Sequence, residues 1–229
     1  MDNQPEQESL TEQAVRLLRD DIMSVEFDPG QRLNIEALKQ RYAMGGTPIR
    51  EALNQLIGGN WVTVEPLKGF RVARLNWYQF TELLQMRQAL IASCMAHAID
   101  HLDDDWEAAC VGAFYRWKKY TAKAVEETSP QMVEVVGRYN QFVSTLCHLQ
   151  KQSLMTNMIL NLLQLSQWHS CIIFNRTQNM EPAMLDWPQN YQPIMDGVMQ
   201  RQKQVVVDHW VALNEDASNK VKQVWSEYL

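Results

Sequence analysis

The sequence predicts a mainly α-helical protein, in which an N-terminal winged helix-turn-helix is followed by an all-helical bundle of six to seven helices. Two observations predict this fold class. Three helical patterns and two short strand patterns fill the first third of the chain. Helical periodicity alone then continues from Trp77 to the end. We therefore expect a flexible polar tail at residues 1–9, a winged helix at 10–75 and a helical domain at 76–229.

The first two helices are marked by apolar spacing and by their ends. Apolar residues recur at helical spacing over Leu10–Val25, and Pro29 and Gly30 end this run because together they favour neither helix nor strand. Asn34 is then placed to cap a short second helix that extends to Tyr42. A break at residues 43–46 separates this helix from the next one.

The third helix has one apolar face and one polar face. Its apolar residues recur at helical spacing and are expected in a small core: Ala52, Leu53, Leu56 and Ile57. Thr47 is predicted to cap the helix, with Pro48 at the first position, where its missing N–H costs nothing. Arg50 then lies on the solvated face near the N-terminus, which is where a recognition helix meets DNA.

A β-hairpin follows the third helix. The strand patterns are Trp61–Glu65 and Phe70–Ala73, and the turn between them carries Lys68 and Gly69 at its tip. Three helices followed by a hairpin are typical of a winged helix that grips duplex DNA.

The charge distribution is compatible with DNA binding. The whole chain has a net charge of −6. Between Gly30 and Asn76, however, seven cations stand against three acids, so this segment carries a net +4. A local basic patch attracts phosphate in spite of distant acids, because salt screens charge over about 8–10 Å.

The second half of the sequence predicts helices separated by short breaks. The helices are expected at Trp77–His101, Asp104–Glu126, Pro130–Leu149, Ser153–Asn175, Asn190–Arg201 and Val205–Tyr228. The breaks are expected at residues 102–104, 128–130 and 151–152 and in a loop at 179–188.

Composition favours a cytoplasmic protein without a membrane partner. No apolar run approaches the ~20 residues needed to cross a bilayer, and the acidic N-terminus is not that of a signal peptide. The four cysteines form no CxxC pair and are expected to be reduced core thiols. The five histidines are scattered, and no P-loop, nucleophile elbow, dinucleotide fingerprint or HExxH motif is present, so we predict no catalytic residue.

The first 75 residues resemble the GntR family of bacterial transcription regulators, specifically its FadR-like branch with a helical C-terminal (FCD) domain. The family's Pro-Gly-x-x-Leu turn matches Pro29–Leu33, its T-P-V-R-E-A-L motif matches Thr47–Leu53, and its wing matches Trp61–Val72. The second half is similar more loosely, through helix order, Met86–Leu90 and Phe142. The resemblance implies a homodimeric repressor that binds a palindromic double-stranded DNA operator and responds to a small-molecule effector.

The resemblance also implies roles for five residues on DNA. Thr47 and Arg50 would contact the major groove, Arg32 a phosphate, and Lys68 with Gly69 the minor groove. Gly45-Gly46 replaces the Ser-Arg that usually precedes the family's Thr-Pro. Either Arg41 or Arg50 then carries more of the readout, or affinity is lower and another operator is preferred. The alternatives are that Arg50 pairs with a neighbouring glutamate and that Lys68 is an ordinary turn residue.

Many FCD domains hold a divalent metal, but this sequence departs from their ligand pattern. The ligand positions align with Tyr139, Val143, Tyr191 and, by spacing, Leu213. Aliphatic side chains offer no lone pair and phenols are rare ligands of zinc-like ions, so we predict neither a metal site nor a cofactor.

Without a metal, an anionic effector such as an organic acid needs another cation. The candidate effector-binding residues are Arg87, Arg138, Tyr139, Tyr191 and His209. Three alternatives stay open: Arg87 forms an interhelical salt bridge, the aromatic residues only pack the core, or the helical half is a dimerisation scaffold or partner-binding module without ligand sensing.

Overall fold

A computed structural model describes most of the 229-residue chain, namely residues 8–74, 76–101, 103–126, 131–150, 153–178 and 187–228. The chain divides into two compact units, residues 1–75 and residues 76–229. Within the described ranges, no helix is both long enough and apolar enough to cross a bilayer.

The first unit is a three-helix bundle with a two-stranded wing. Its elements are α1 (Leu10–Met23), α2 (Ile35–Tyr42), α3 (Gly46–Gly58), β1 (Val62–Glu65) and β2 (Gly69–Val72). The strands are antiparallel, with Val62 opposite Val72 and Glu65 opposite Gly69. The predicted order of helix, helix, helix and hairpin is confirmed.

Two of the three helix starts are fixed by side-chain caps. Ser9 and Glu12 form a capping box at the start of α1, in which each side chain accepts the other residue's backbone N–H. Asn34 caps α2 as predicted, because its Oδ1 accepts the N–H groups of Glu36 and Ala37 at 2.9 and 3.3 Å. Residues 1–7 of the predicted tail lie outside the described residues, and Ser9 belongs to the helix cap.

The third helix starts earlier than the sequence predicts. Gly45, not Thr47, is the N-cap residue, and it contributes no capping side chain. Ala43, in the left-handed conformation with φ 52°, ends α2 and turns the chain toward α3. Pro48 is then the third residue of α3, a position whose N–H has no helical partner in any case. The cap assignment to Thr47 was therefore wrong, because Gly46 already has helical geometry.

The inner faces of α1 and α3 form the core of this unit. Leu18, Ile22, Ile49 and Leu53 are fully buried, and Trp61 closes the core at the start of the hairpin. The wing is attached by backbone hydrogen bonds. The N–H of Leu33 donates to the Phe70 carbonyl at 2.9 Å, and the N–H of Ala73 donates to the Trp61 carbonyl at 2.9 Å.

The second unit is helical throughout its described parts. Its α-helices are α4 (Trp77–His101), α5 (Asp104–Glu126), α6 (Met132–Leu146), α7 (Leu154–Thr177), α8 (Gln192–Met199) and α9 (Lys203–Tyr228), with a 3-10 turn at Pro188–Tyr191 before α8. The bounds of α4 and α5 agree with the prediction. Helix α6 is shorter than predicted and starts after its N-cap residue, Gln131. Helix α8 is also shorter than predicted and ends before its C-cap residue, Gln200. The predicted breaks at 102, 128–130 and 151–152 and most of the 179–188 loop lie outside the described residues.

The helices α8 and α9 cross closely at Gly197. A Cβ atom at this position would lie 2.7 Å from Val206 Cγ2. Val206 is fully buried and β-branched, so its side chain has little freedom to move away. Glycine is therefore required at this crossing for reasons of space.

We expect Gly197→Ala to lower the free energy of unfolding of the helical unit by about 1–3 kcal/mol, the usual cost of overpacking a core. Urea unfolding followed by circular dichroism, with separate transitions fitted for the two units, measures this cost. The matched control is Gly137→Ala in α6, whose added Cβ would meet nothing closer than Gln167 Nε2 at 3.8 Å. This control should gain roughly 0.5–1 kcal/mol from helix propensity. Equal effects of the two changes would contradict the close crossing.

Candidate functional site

The outer face of α3 is polar and accessible. Thr47, Arg50 and Asn54 are exposed, whereas Ile49 and Leu53 on the opposite face are fully buried. Residues three and seven positions after Thr47 share one side of a helix, so these three polar side chains form one continuous surface. It has the dimensions and chemistry of a helix that enters a DNA groove.

Arg41 is held by its own domain. Its Nε atom lies 2.6 Å from Asp21 Oδ2, one terminal nitrogen lies 3.4 Å from Glu26 Oε2, and the guanidinium lies 5.3 Å from the centre of the Phe27 ring. The Tyr42 hydroxyl donates to the same Asp21 oxygen at 2.5 Å. These contacts fasten the end of α2 to the end of α1, so Arg41 would have to exchange them for a contact with DNA.

The tip of the wing also contains an ion pair. Lys68 Nζ lies 3.2 Å from Glu65 Oε2, and its hydrogen bond to that carboxylate lowers the pKa of Glu65. Gly69 has φ 82°, a left-handed conformation that disfavours other residues, and it allows the strand to resume directly after the turn. Leu67 at the tip is fully exposed.

Arg32 and Arg50 differ from the other predicted DNA contacts. Both side chains are exposed, and neither forms a hydrogen bond or ion pair with any residue that the structure describes. Arg32 lies in the segment before α2, and Arg50 lies on the outer face of α3. Of the four predicted cations in this unit, these two can therefore meet a phosphate or a base edge without losing an internal partner.

The second unit encloses a cluster of aromatic and polar side chains, here called the inner cluster: Arg87, Trp117, Thr121, Tyr139, Phe142, Tyr191, Trp210 and Asn214. The hydroxyl oxygens of Tyr139 and Tyr191 lie 3.1 Å apart in the interior. Arg87 is 1% exposed, donates to Asn214 Oδ1 at 2.9 Å, and lies 5.9 Å from the ring centres of both Tyr139 and Trp210.

Trp117 lies at the centre of the inner cluster. Its ring centre is 5.1 Å from that of Tyr139, 5.5 Å from that of Phe142 and 5.2 Å from that of Tyr191. Its indole nitrogen is nevertheless buried and has no hydrogen-bond acceptor among the described residues. The hydroxyl of Thr121 is also buried and has no hydrogen-bond partner among them. These two residues are one helical turn apart on the buried face of α5.

Two of the predicted effector-binding residues lie outside the inner cluster. Arg138 pairs with Glu134 on its own helix at 2.7 Å, and its guanidinium lies 5.6 Å from the Tyr120 ring centre. His209 is exposed, with Nδ1 2.8 Å from the Val205 carbonyl oxygen. The structure thus brings together Arg87, Tyr139 and Tyr191 and leaves the other two candidates on the surface side of their helices.

Comparison with known proteins identifies the DNA-binding unit. Residues 10–72 match the family described as "Bacterial regulatory proteins, gntR family". Residues 10–72 are thus a GntR-family DNA-binding unit. This GntR-family match covers the helices and wing described above, and the family is one of regulatory proteins.

Curated proteins also resemble part of the chain. The transcriptional repressor GlaR of Escherichia coli K12 is 38% identical over 93 residues, which is 41% of this chain and 42% of GlaR. The transcriptional regulator BphR of Paraburkholderia xenovorans is 34% identical over 108 residues, 47% of this chain and 44% of BphR. The matches span less than half the length of each relative.

Solved structures extend the likeness of fold to nearly the whole chain. Escherichia coli McbR/YncC superposes with a TM-score of 0.73 at 20% identity, covering 96% of this chain and 99% of that one. A GntR regulator of Rhodococcus sp. RHA1 gives a TM-score of 0.74 at 19% identity over the same shares. At these identities the likeness shows a common fold, a winged head and a helical domain.

The inner cluster contains two of the four positions that were aligned with the metal ligands of FCD domains, Tyr139 and Tyr191. Val143 is also buried, and on α9 Trp210 and Asn214 are buried whereas Leu213 is partly exposed. Across the described ranges, no group of three or more His, Cys, Asp or Glu side chains is arranged to hold a metal ion.

Sequence reasoning missed Trp117, Thr121 and Asn214. The signal for their inward direction was present, because Cys110, Trp117, Thr121 and Ala124 follow a helical spacing on α5, as do Val206, Trp210, Asn214 and Ala217 on α9. Their unmet or shared hydrogen bonds depend on neighbouring helices and have no sequence signal.

We expect Thr121→Val to leave the free energy of unfolding unchanged or to raise it by up to about 1 kcal/mol, because the hydroxyl that is removed has no partner in the described chain. The control is Thr145→Val, since the Thr145 hydroxyl donates to the Gln141 carbonyl at 2.9 Å, and losing this bond should cost about 1 kcal/mol. Both values come from urea unfolding of ligand-free protein. A marked loss for Thr121→Val would mean that the hydroxyl is already satisfied.

Proposed function

We propose that this GntR-family chain is a cytoplasmic transcriptional repressor that binds a palindromic operator as a homodimer and is controlled by a small-molecule effector in its helical unit. The observation that carries the proposal is the exposed, internally uncommitted guanidinium of Arg50 on the outer face of α3. An arginine at the start of a recognition helix makes bidentate hydrogen bonds to guanine O6 and N7.

The DNA contacts fall into two classes. Arg50 and Thr47 read base edges, and Arg32 with the Lys68–Gly69 tip of the wing holds the phosphate backbone and the minor groove. Arg41 contributes less, because Asp21 and Glu26 already bind it. A two-fold operator requires a two-fold protein, which supports a homodimer. Repression is proposed because GlaR, to which 93 residues of this chain are 38% identical, is named a repressor.

The effector is an organic acid bound at the inner cluster. Arg87 supplies a buried positive charge close to Tyr139 and Trp210. Trp117 Nε1 and Thr121 Oγ1 supply a donor and a hydroxyl that the described residues leave unsatisfied, and such groups normally have a partner when buried. A carboxylate needs donors of these kinds, and the surrounding rings accommodate an apolar remainder. Arg138 and His209 lie apart from this cluster and would reach the effector only after a rearrangement.

Arg50→Ala should weaken operator binding by about 1–3 kcal/mol, or roughly 5- to 150-fold, because the base contact is lost while the fold is retained. The operator is first selected from genomic fragments with the wild-type protein, and affinity is then measured by fluorescence anisotropy. Arg41→Ala should have a smaller effect. The control Arg116→Ala removes an equal charge from the exposed face of α5 and should change nothing. Equal binding by Arg50→Ala and wild type would refute the assignment.

Arg32→Ala should weaken binding to all sequences alike and should reduce the slope of log affinity against log salt by about one, since one phosphate contact is removed. The same anisotropy assay, repeated across salt concentrations on operator and on unrelated DNA, separates this effect from that of Arg50→Ala. An Arg32→Ala protein with altered sequence preference and an unchanged salt slope would contradict the phosphate role.

An acid that fits the inner cluster should raise the melting temperature of the wild-type protein, with a stabilisation of about 2.7 kcal/mol at 100 times its dissociation constant. The probes are short aliphatic, fatty and aromatic carboxylates, tested by thermal shift. Thr121→Val should lose much of the shift, and Thr145→Val should keep it. Failure of every class of carboxylate with the wild type would favour the alternative that the helical unit is a scaffold for dimerisation or partner binding.

A further inference from the structure

The turn at the tip of the wing holds an exposed leucine. Leu67 has the largest exposed fraction of any large apolar side chain in the described ranges. The ring of Pro66 fixes its backbone angle φ at about −65°. The N–H of Lys68 donates to the Glu65 carbonyl oxygen at 3.0 Å and closes a four-residue turn. The backbone on both sides of Leu67 is therefore held in place, while its side chain meets solvent.

The backbone of Leu67 is in a conformation that leucine disfavours. Its φ is 65°, in the left-handed region. Turns with positive φ at the third residue usually have glycine or asparagine there. A leucine in this region is strained because its Cβ atom approaches the following carbonyl oxygen. Its exposed side chain also gains nothing from burial. Folding alone therefore favours glycine or asparagine at position 67, and such an exception to a local rule is typical of a functional position.

The charges around the tip suit contact with DNA. The Glu65 carboxylate lies 3.2 Å from Lys68 Nζ and 3.5 Å from Arg71 Nε. One negative charge is thus held between two positive charges, so the tip as a whole is cationic. A tip of this kind is attracted to a phosphate backbone, and the paired carboxylate does not prevent its approach.

We propose that Leu67 is an apolar wedge that enters the minor groove between two base pairs and kinks the operator at a flexible step. The proposal rests on the function proposed above, in which the wing lies in the minor groove. Minor-groove proteins insert leucine and similar side chains between base steps, unstack them and kink the duplex by about 20–90°. Pyrimidine–purine steps such as TA and CA deform most easily. The wing then selects operators by their deformability, at a step with which it forms no hydrogen bond.

The strained turn supports this role energetically. Unstacking a base step costs free energy, which burial of the leucine side chain between the bases offsets. The strain of Leu67 is present in the free protein already, so binding does not have to supply it. A turn fixed by Pro66 and by the ion pair of Glu65 with Lys68 also loses little backbone freedom when it enters the groove.

The test uses the full-length protein and an operator selected with it from genomic fragments. 2-Aminopurine replaces adenine at each pyrimidine–purine step in turn, and a dye pair at the two ends reports the bend by energy transfer. Wild-type protein should raise the 2-aminopurine fluorescence at one step per half-site and bring the ends closer. Leu67→Gly should do neither and should bind about tenfold more weakly, the lower end of what burial of a leucine provides. Leu67→Met should keep both signals, because methionine is also an apolar wedge.

Two controls separate the wedge from a role in folding. Val64→Thr changes the other exposed apolar side chain of the wing, which is 55% exposed on β1, and should bind and bend DNA like the wild type. The melting temperature of Leu67→Gly without DNA should equal or exceed that of the wild type, because the strain at φ 65° is relieved. A lower melting temperature would show that the leucine packs within the free protein and would overturn the proposal.

The remaining outcomes are also decisive. Wild-type protein that binds its operator without unstacking or bending it overturns the wedge and leaves the proposed repressor function intact. Failure of the wild type to bind any DNA overturns both. If replacing thymine by uracil weakens binding of the wild type but not of Leu67→Gly, and no base unstacks, Leu67 contacts a thymine methyl group instead and the wedge is again overturned.

Discussion

The helical unit depends on the satisfaction of one buried charge. Removing a guanidinium from water is costly unless hydrogen bonds and favourable electrostatic contacts replace its hydration. Arg87 on α4 meets this requirement through Asn214 on α9 and through the faces of Tyr139 and Trp210, so three side chains from two other helices contact this one group. Trp210 also donates from its indole nitrogen to the Gln88 carbonyl at 3.0 Å, beside Arg87 in the chain. The crossing of α4 and α9 is thereby held in one register.

Elements with strong local signals could be predicted from the sequence, and contacts between distant segments could not. The end of α4 and the start of α5 are predicted correctly because Asp103 and Asp104 interrupt an otherwise continuous helical pattern of apolar residues. The start of α3 is missed because a glycine N-cap has no side-chain signature to compete with that of Thr47. The fold class follows from periodicity, which spans many residues and tolerates such local errors.

The candidate sites were only partly predictable for the same reason. The i, i+4 spacing of Glu134 and Arg138 was visible in the sequence, but the partners of Arg41 lie 15 and 20 residues earlier, at the end of α1 and just after it. The convergence of Tyr139 and Tyr191, 52 residues apart, came from family resemblance rather than from spacing. Trp117 Nε1 has no hydrogen-bond acceptor among the described residues. The sequence does not show this, because hydrogen bonding in the core depends on how distant segments pack together.

The glycine at the start of α3 affects how this helix can approach a polyanion. The first N–H groups of any helix lack backbone acceptors and carry the positive end of the helix dipole. At α1 and α2 these groups are taken by Ser9 and Asn34, whereas Gly45 offers no side chain to those of α3. A phosphate oxygen that reached this helix end would therefore not have to displace a capping side chain of the N-cap residue.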